Sequence, residues 1–186
     1  ETIYILGLIY ATVIRSWYGM KFRRDNVLHQ KKEHPLVFVG MALWGVVLFL
    51  PLFYIFTSWL DFANYRIPAL LSVLGSFIFI GGLYVLQRSH IDLARNFSPC
   101  LFIQKQHTLV THGIYKYIRH PMYLSFCAWA VGQALLIQNW IAGPLGIIAF
   151  YLIYLFRVEH EEQQLIEYFG DSYRDYKKST GRFFPK

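Results

Sequence analysis

Two polar stretches of the sequence, residues 104–123 and 157–164, hold the side chains best suited to chemistry. The first carries His107, His112 and His120 together with Tyr115, Tyr117, Tyr123 and Arg119, and the second carries Arg157, Glu159, Glu161 and Glu162. Three histidines invite a metal, yet their spacing matches no common ligand pattern, and neither Cys100 nor Cys127 completes one. Zinc is not expected. Arg119-His120-Pro121 reads as the end of a loop and the start of a helix, because proline is favoured in a first helical turn. Arg157 and Glu161 stand four apart, so on a helix they share a face and can pair. Ionisable groups close to hydrocarbon face a cavity or a partner, which leaves an ion pair and a binding cleft both open here. There is no G-x-G-x-x-G turn after a strand and no phosphate-binding loop, so a soluble nucleotide-binding fold is excluded. Any cofactor must lie between helices and loops.

The elements that position these residues are written in the apolar runs. The 186 residues are 55% hydrophobic and 19% aromatic with only 16% charged, and the charges fall in blocks. Stretches 36–60 and 67–86 contain no charge, and each can cross a hydrocarbon core of roughly 30 Å at about 1.5 Å per residue. Stretch 122–156 is also free of charge but too long for one span. Gln138, Asn139, Trp140 and Pro144 at its centre predict a tight turn between two short helices, about 122–137 and 140–156. The run 2–14 supplies a fifth span. The chain does not begin with methionine, so a start inside a longer protein is expected.

Seventeen of the eighteen Lys and Arg residues fall in the segments 15–32, 88–119 and 157–186, and only Arg66 lies elsewhere. Five spans place those three segments on one face, predicted to be cytoplasmic, with the N-terminus outside. The net charge of +7 then reflects loops facing anionic lipid, with no nucleic acid as partner. Ala128 and Gly132 on one arm of the last hairpin, and Ala142 and Gly146 on the other, have the four-residue spacing that lets membrane helices approach closely. Beyond Phe156, residues Leu165, Ile166, Phe169, Tyr173 and Tyr176 recur at helical spacing around Gly170, which predicts one or two amphipathic helices on the cytoplasmic surface. Such a helix is a surface anchor or a lid over a site beneath.

The run His107-Thr-Leu-Val-Thr-His-Gly-Ile-Tyr-Lys-Tyr-Ile-Arg-His-Pro-Met-Tyr123 resembles the signature of the isoprenylcysteine carboxyl methyltransferase family. Its second half follows as Arg157, Glu161-Glu162, Leu165, Phe169-Gly170, Tyr173 and Tyr176. The similarity covers about residues 87–186 and looks closest to prokaryotic, archaeal members. It implies that S-adenosylmethionine is held by Gln104, His107, Thr108, Leu109, Val110, Tyr115, His120, Pro121, Met122, Tyr123 and Glu161, with S-adenosylhomocysteine as product. It implies that Arg157 binds the methyl acceptor and that Arg157 and Glu161 form the catalytic pair. Related C-terminal halves occur in phospholipid N-methyltransferases, thiol S-methyltransferases and membrane sterol reductases, so fold alone leaves the reaction open.

The expected fold is therefore an all-α integral membrane protein with five transmembrane helices, the last two a helical hairpin, followed by a cytoplasmic C-terminal amphipathic helix. Residues 1–86 would form the N-terminal membrane helices (three spans), and 87–186 the catalytic, cofactor-binding region. The resemblance implies carboxyl O-methylation of an isoprenylcysteine-like or other lipophilic carboxylate that enters from the bilayer of a prokaryotic cell membrane, with the active site on the cytoplasmic side. The alternatives are N- or S-methylation of a phospholipid or thiol, a nicotinamide-dependent membrane reductase, and a scaffold without activity.

Overall fold

The computed structural model describes residues 1–25, 28–29, 35–97, 103–104 and 108–186. The described residues form six α-helices: α1 (Thr2–Asp25), α2 (Pro35–Phe56), α3 (Ala69–Leu93), α4 (Pro121–Leu136), α5 (Leu145–Phe169) and α6 (Asp171–Ser179). The described residues also include a two-residue antiparallel ladder, β1 (Leu28–His29) against β2 (Ile103–Gln104). Among the described residues three segments, Thr2–Met20, Phe38–Phe56 and Ala69–Asn96, are long and apolar enough to cross a membrane, while Pro121–Leu136 is apolar but shorter. Large apolar side chains such as Leu6, Val46, Phe49 and Phe77 point outward from these helices, as lipid-facing residues do.

The interior is aromatic and tightly closed. Tyr4 of α1, Phe79 of α3 and Trp129 of α4 meet with ring centroids 4.7–5.8 Å apart. Buried Gln133 ties four elements together. Its amide oxygen accepts from the Tyr4 hydroxyl and the Trp129 indole at 3.1 Å, and its amide nitrogen donates to the carbonyls of Ala142 and Val47. In hydrocarbon such a side chain must find partners inside the bundle, and this one finds them on every neighbour.

The last hairpin differs from its predicted limits. The first arm, α4, matches, but α5 starts at Leu145, later than the expected residue 140, and it runs on past Phe156 to Phe169. The delay has a side-chain cause. Asn139 Oδ1 accepts from the backbone amides of Ile141 and Ala142, and its Nδ2 donates to the Leu60 carbonyl and to Asn64 Oδ1. Residues 137–144 are thereby held as a folded turn, and Ala142 lies in that turn and not on a helix arm. The helical small residues do allow close approach: Gly132 lies against the Phe79 backbone of α3, Ala128 against Gly82 of the same helix, and Gly146 against Gln133 of α4. At the other end of α5, Gly170 adopts φ 58°, which turns the chain into α6. Arg15, expected in a loop, sits inside the continuous α1 helix.

Candidate active site

The loop that ends in Arg119-His120-Pro121 is pinned from three sides. Gly113 has φ 59° and packs directly on the Asp92 carboxylate, leaving no room for a side chain. The same carboxylate accepts from the Ile114 amide at 2.7 Å and pairs with Arg88 at 2.9 Å. A short 3₁₀ turn, Gly113–Lys116, follows, and the Tyr176 hydroxyl of α6 donates to the Tyr115 carbonyl at 2.5 Å. The chain after α6 then runs alongside the loop, with the amides of Arg119 and His120 donating to the carbonyls of Gly181 and Arg182 at 2.8 and 3.1 Å. Pro121 opens α4 directly after His120, as its fixed φ and missing N–H favour.

Glu162 organises the charges. Its side chain is 3% exposed, and it contacts Arg119 at 3.0 Å, His120 at 3.2 Å, Lys177 at 2.7 Å and Arg182 at 3.1 Å. Burial alone would raise its carboxyl pKa, but hydrogen bonds from His120, Arg182, Lys177 and Arg119 outweigh burial and hold it well below the usual carboxylate range. The bond to Glu162 raises the Arg182 guanidinium in turn. Arg119 also donates to the carbonyls of Lys177 and Thr180, so its fork is committed to the α6 side of the cage.

Between this cage and the end of the bundle opens a cleft of about 180 Å³, partly open to solvent. Thr108, Leu109, Val110, Tyr115, His120, Pro121, Met122, Tyr123, Arg157 and Glu161 all line it, so ten of the twelve residues singled out in sequence share one cavity. Glu161 accepts from the Tyr123 hydroxyl at 2.8 Å, and Thr108 is held by Asn96 through backbone and hydroxyl at 3.0 and 3.1 Å. For Gln104 only the backbone is described, paired with Leu28, and His107 lies outside the described residues. Sequence reasoning missed Arg15, Asn96, Phe97 and the cage role of Glu162. It placed Phe169, Tyr173 and Tyr176 at helical spacing, and all three line the cleft. Burial pushes Tyr176 up to about 12 and Tyr115 and Tyr173 upward as well, so these phenols stay protonated near neutral pH.

Ligand pockets typically combine apolar walls with a few fixed polar groups. Here Tyr115, Phe97 and Leu109 supply aromatic and apolar faces, Glu161 a carboxylate acceptor, and Asn96 and Thr108 neutral polar groups. Among the described residues no group of His, Cys, Asp and Glu could hold a metal.

Comparison with known proteins adds the lineage. The chain is 34% identical over 106 residues to protein-S-isoprenylcysteine O-methyltransferase of Schizosaccharomyces pombe, covering 56% of this chain and 45% of that one. The enzymes of the same name from Dictyostelium discoideum and Homo sapiens are 34% and 33% identical, over 71% and 69% of this chain and 54% and 49% of theirs. The chain thus spans about half the length of these relatives. The solved structure of the eukaryotic intramembrane Ras methyltransferase ICMT superposes with a TM-score of 0.57 at 25% identity, covering 83% of this chain and 54% of that one. The model of the isoprenylcysteine carboxyl methyltransferase family matches residues 73–167, which include Tyr115, His120, Arg157 and Glu161 from the cleft wall, and the chain belongs to that family.

Proposed function

We propose that this chain is an S-adenosylmethionine-dependent methyltransferase of the membrane that esterifies the carboxylate of an isoprenylcysteine-like or similar lipophilic acceptor. The observation that carries the reading is the meeting of Arg157 and Glu161, one helical turn apart on α5, with the Tyr115 and His120 loop around a single cleft at the end of an apolar bundle. When bound, S-adenosylmethionine supplies a methyl group made electrophilic by its positive sulfur and leaves as S-adenosylhomocysteine. Glu161, Tyr115, Thr108 to Val110 and His120 to Tyr123 would hold it. Gln104 and His107 are proposed as further contacts on the same loop.

The acceptor is already ionised at neutral pH, since an unperturbed carboxyl has a pKa of about 3.5–4. No general base is then required, and the protonated phenols around the cleft offer none. The residues instead align and dehydrate. Arg157 can grip a carboxylate through its planar fork, and the apolar walls around it exclude water from the oxygen that attacks. Residues 1–86 form the membrane anchor of this reading and 87–186 its catalytic region. All five apolar segments cross the bilayer, the cleft faces the cytoplasm, and the lipid-borne acceptor enters from the side. The region 171–179 both seals the cleft and rests on the membrane surface.

Purified protein in detergent should bind S-adenosylhomocysteine in calorimetry, and Glu161→Gln should weaken that binding by about 10- to 100-fold, as loss of a charged acceptor does. With a prenylated cysteine and labelled cofactor, the product should release methanol in alkali. No binding, or an alkali-stable product, would remove this reading in favour of another activity.

A further inference from the structure

Gln164 lies one turn beyond Glu161 on α5, and like Glu161 it lines the cleft. It is no surface amide, since the residue is only 4% exposed. A long side chain on a helix leans back over the preceding turn, which here carries His160 and Glu161. Half of the amide has a partner in that turn: its Nε2 meets the Nε2 of His160 at 3.0 Å. An amide nitrogen only donates, so the His160 ring nitrogen accepts, and the bond holds the amide with its oxygen turned away from His160. Among the described residues no donor reaches that oxygen. Nor is it one of the buried polar atoms cut off from water, so it opens on the cleft.

Within one turn of α5 the cleft wall thus presents the Glu161 carboxylate and the Gln164 carbonyl, both acceptors. Tyr123 already donates to Glu161 at 2.8 Å, and Gln164 has no such donor among the described residues. An acceptor held in a fixed direction favours a ligand that brings an N–H or O–H to it, and disfavours one that lacks the group. Both residues stand on the polar part of α5, past the apolar stretch that ends at Phe156, where a polar ligand fits better than a lipid chain. We infer that Gln164 is a specificity-determining residue whose amide oxygen accepts a hydrogen bond from an N–H or O–H of the nucleoside cofactor. His160 is the positioning residue that aims it. This deepens the methyltransferase reading above and rests on it for the identity of the ligand. S-adenosylhomocysteine carries such donors on its base, its ribose and its amino acid, and one of them meets Gln164.

The test is a cycle of variants against ligands, read by calorimetry on the full chain in detergent. The ligands are S-adenosylhomocysteine and analogues that each lack one donor: S-inosylhomocysteine for the base amine, the two monodeoxy forms for the ribose, and the desamino form for the ammonium. Gln164→Leu should weaken S-adenosylhomocysteine by about 3- to 10-fold. One analogue should bind Gln164→Leu within about twofold of its affinity for wild type, because the bond it lacks is the one the variant lacks. Gln164→Asn, which keeps an amide but withdraws it, should single out the same analogue and carries the test if Gln164→Leu fails to fold. His160→Ala should give a smaller loss that vanishes with that analogue too. A packing role would lower every ligand together. Equal losses for all ligands in the Gln164 variants, or no loss, overturn the assignment, and unchanged affinity in His160→Ala overturns the positioning role. Wild type separates this from the reading beneath it. If it binds none of these ligands, the cofactor reading falls and this assignment with it. If it shows the Gln164-dependent pattern but transfers no methyl group, the methyltransferase reading falls and the nucleoside contact stands.

Discussion

Neighbouring carboxylates on one helix can have unrelated jobs, because successive residues point about 100° apart around the axis. Glu161 turns to Tyr123 and the cleft, while Glu162 turns to four basic side chains behind it. Removing Glu162 leaves Arg119, whose side chain is 5% exposed, as a buried charge with its counter-ion gone. Glu162→Ala should therefore cost about 3–5 kcal/mol in denaturant unfolding, whereas Glu161→Gln should cost little stability and mainly ligand affinity. Glu162 also predicts a pH dependence. Its folded pKa lies below the unfolded value of about 4.3, so its stabilisation is fully present above about pH 5 and fades as pH falls from there toward the folded pKa. The stability gap between wild type and Glu162→Gln should stay level from pH 6 to 8 and narrow below about pH 4. A gap that widened in acid would mean the carboxylate is not held by its cations. The Glu161-Glu162 pair was legible in the sequence as a motif, but the division of labour was not. It depends on where α6 brings Lys177 and the segment after it brings Arg182, and no local pattern encodes that.

At the scale of elements, α3 and α4 come close together at Gly132 and Phe79. A Cβ on Gly132 would lie 2.7 Å from Phe79 Cβ and 2.9 Å from its Cα, so Gly132→Ala must force the two helices apart. The expected cost is about 1–3 kcal/mol, the range for overpacking a filled interior. Gly81, with nothing within 4 Å of its would-be Cβ, is the control, and Gly81→Ala should be neutral or slightly stabilising. Thermal unfolding of both variants in one detergent checks the pair, and equal effects would disprove the contact. The four-residue spacing of Ala128 and Gly132 was visible in sequence, since close approach needs only small side chains. Its partner was not, because spacing carries no information on which helix approaches. The start of α5 was misplaced for a similar reason: the bonds that hold the turn run from Asn139 to Leu60 and Asn64, far away in the chain.

For the whole molecule, the distribution of Lys and Arg carries the expectation of sidedness, because lipid sorts charge whatever the tertiary contacts. The structure joins the segment before α3 to the hairpin turn through the Asn64–Asn139 bridge, which puts those two connections at one end of the bundle. Asn139 is fully buried, so exposed neighbours make better probes. In a Cys100→Ser, Cys127→Ser background, Phe62→Cys and Trp140→Cys should react with an impermeant thiol reagent added outside intact cells, and Ser172→Cys only after the cells are opened. Outside labelling at Ser172→Cys would overturn the five-span arrangement. The contacts between the His120 loop and residues 176–182 carry a further consequence, for biosynthesis. The Tyr115 carbonyl waits 61 positions for the Tyr176 hydroxyl that fixes it, and the Arg119 amide must wait for Gly181. Apolar helices insert as they leave the ribosome, but the cleft wall closes only after that downstream stretch has been translated and folded back. Competence to bind ligand is thus a late event in the life of the nascent chain, and a ribosome stalled before residue 176 would leave an inserted bundle with an unfinished pocket.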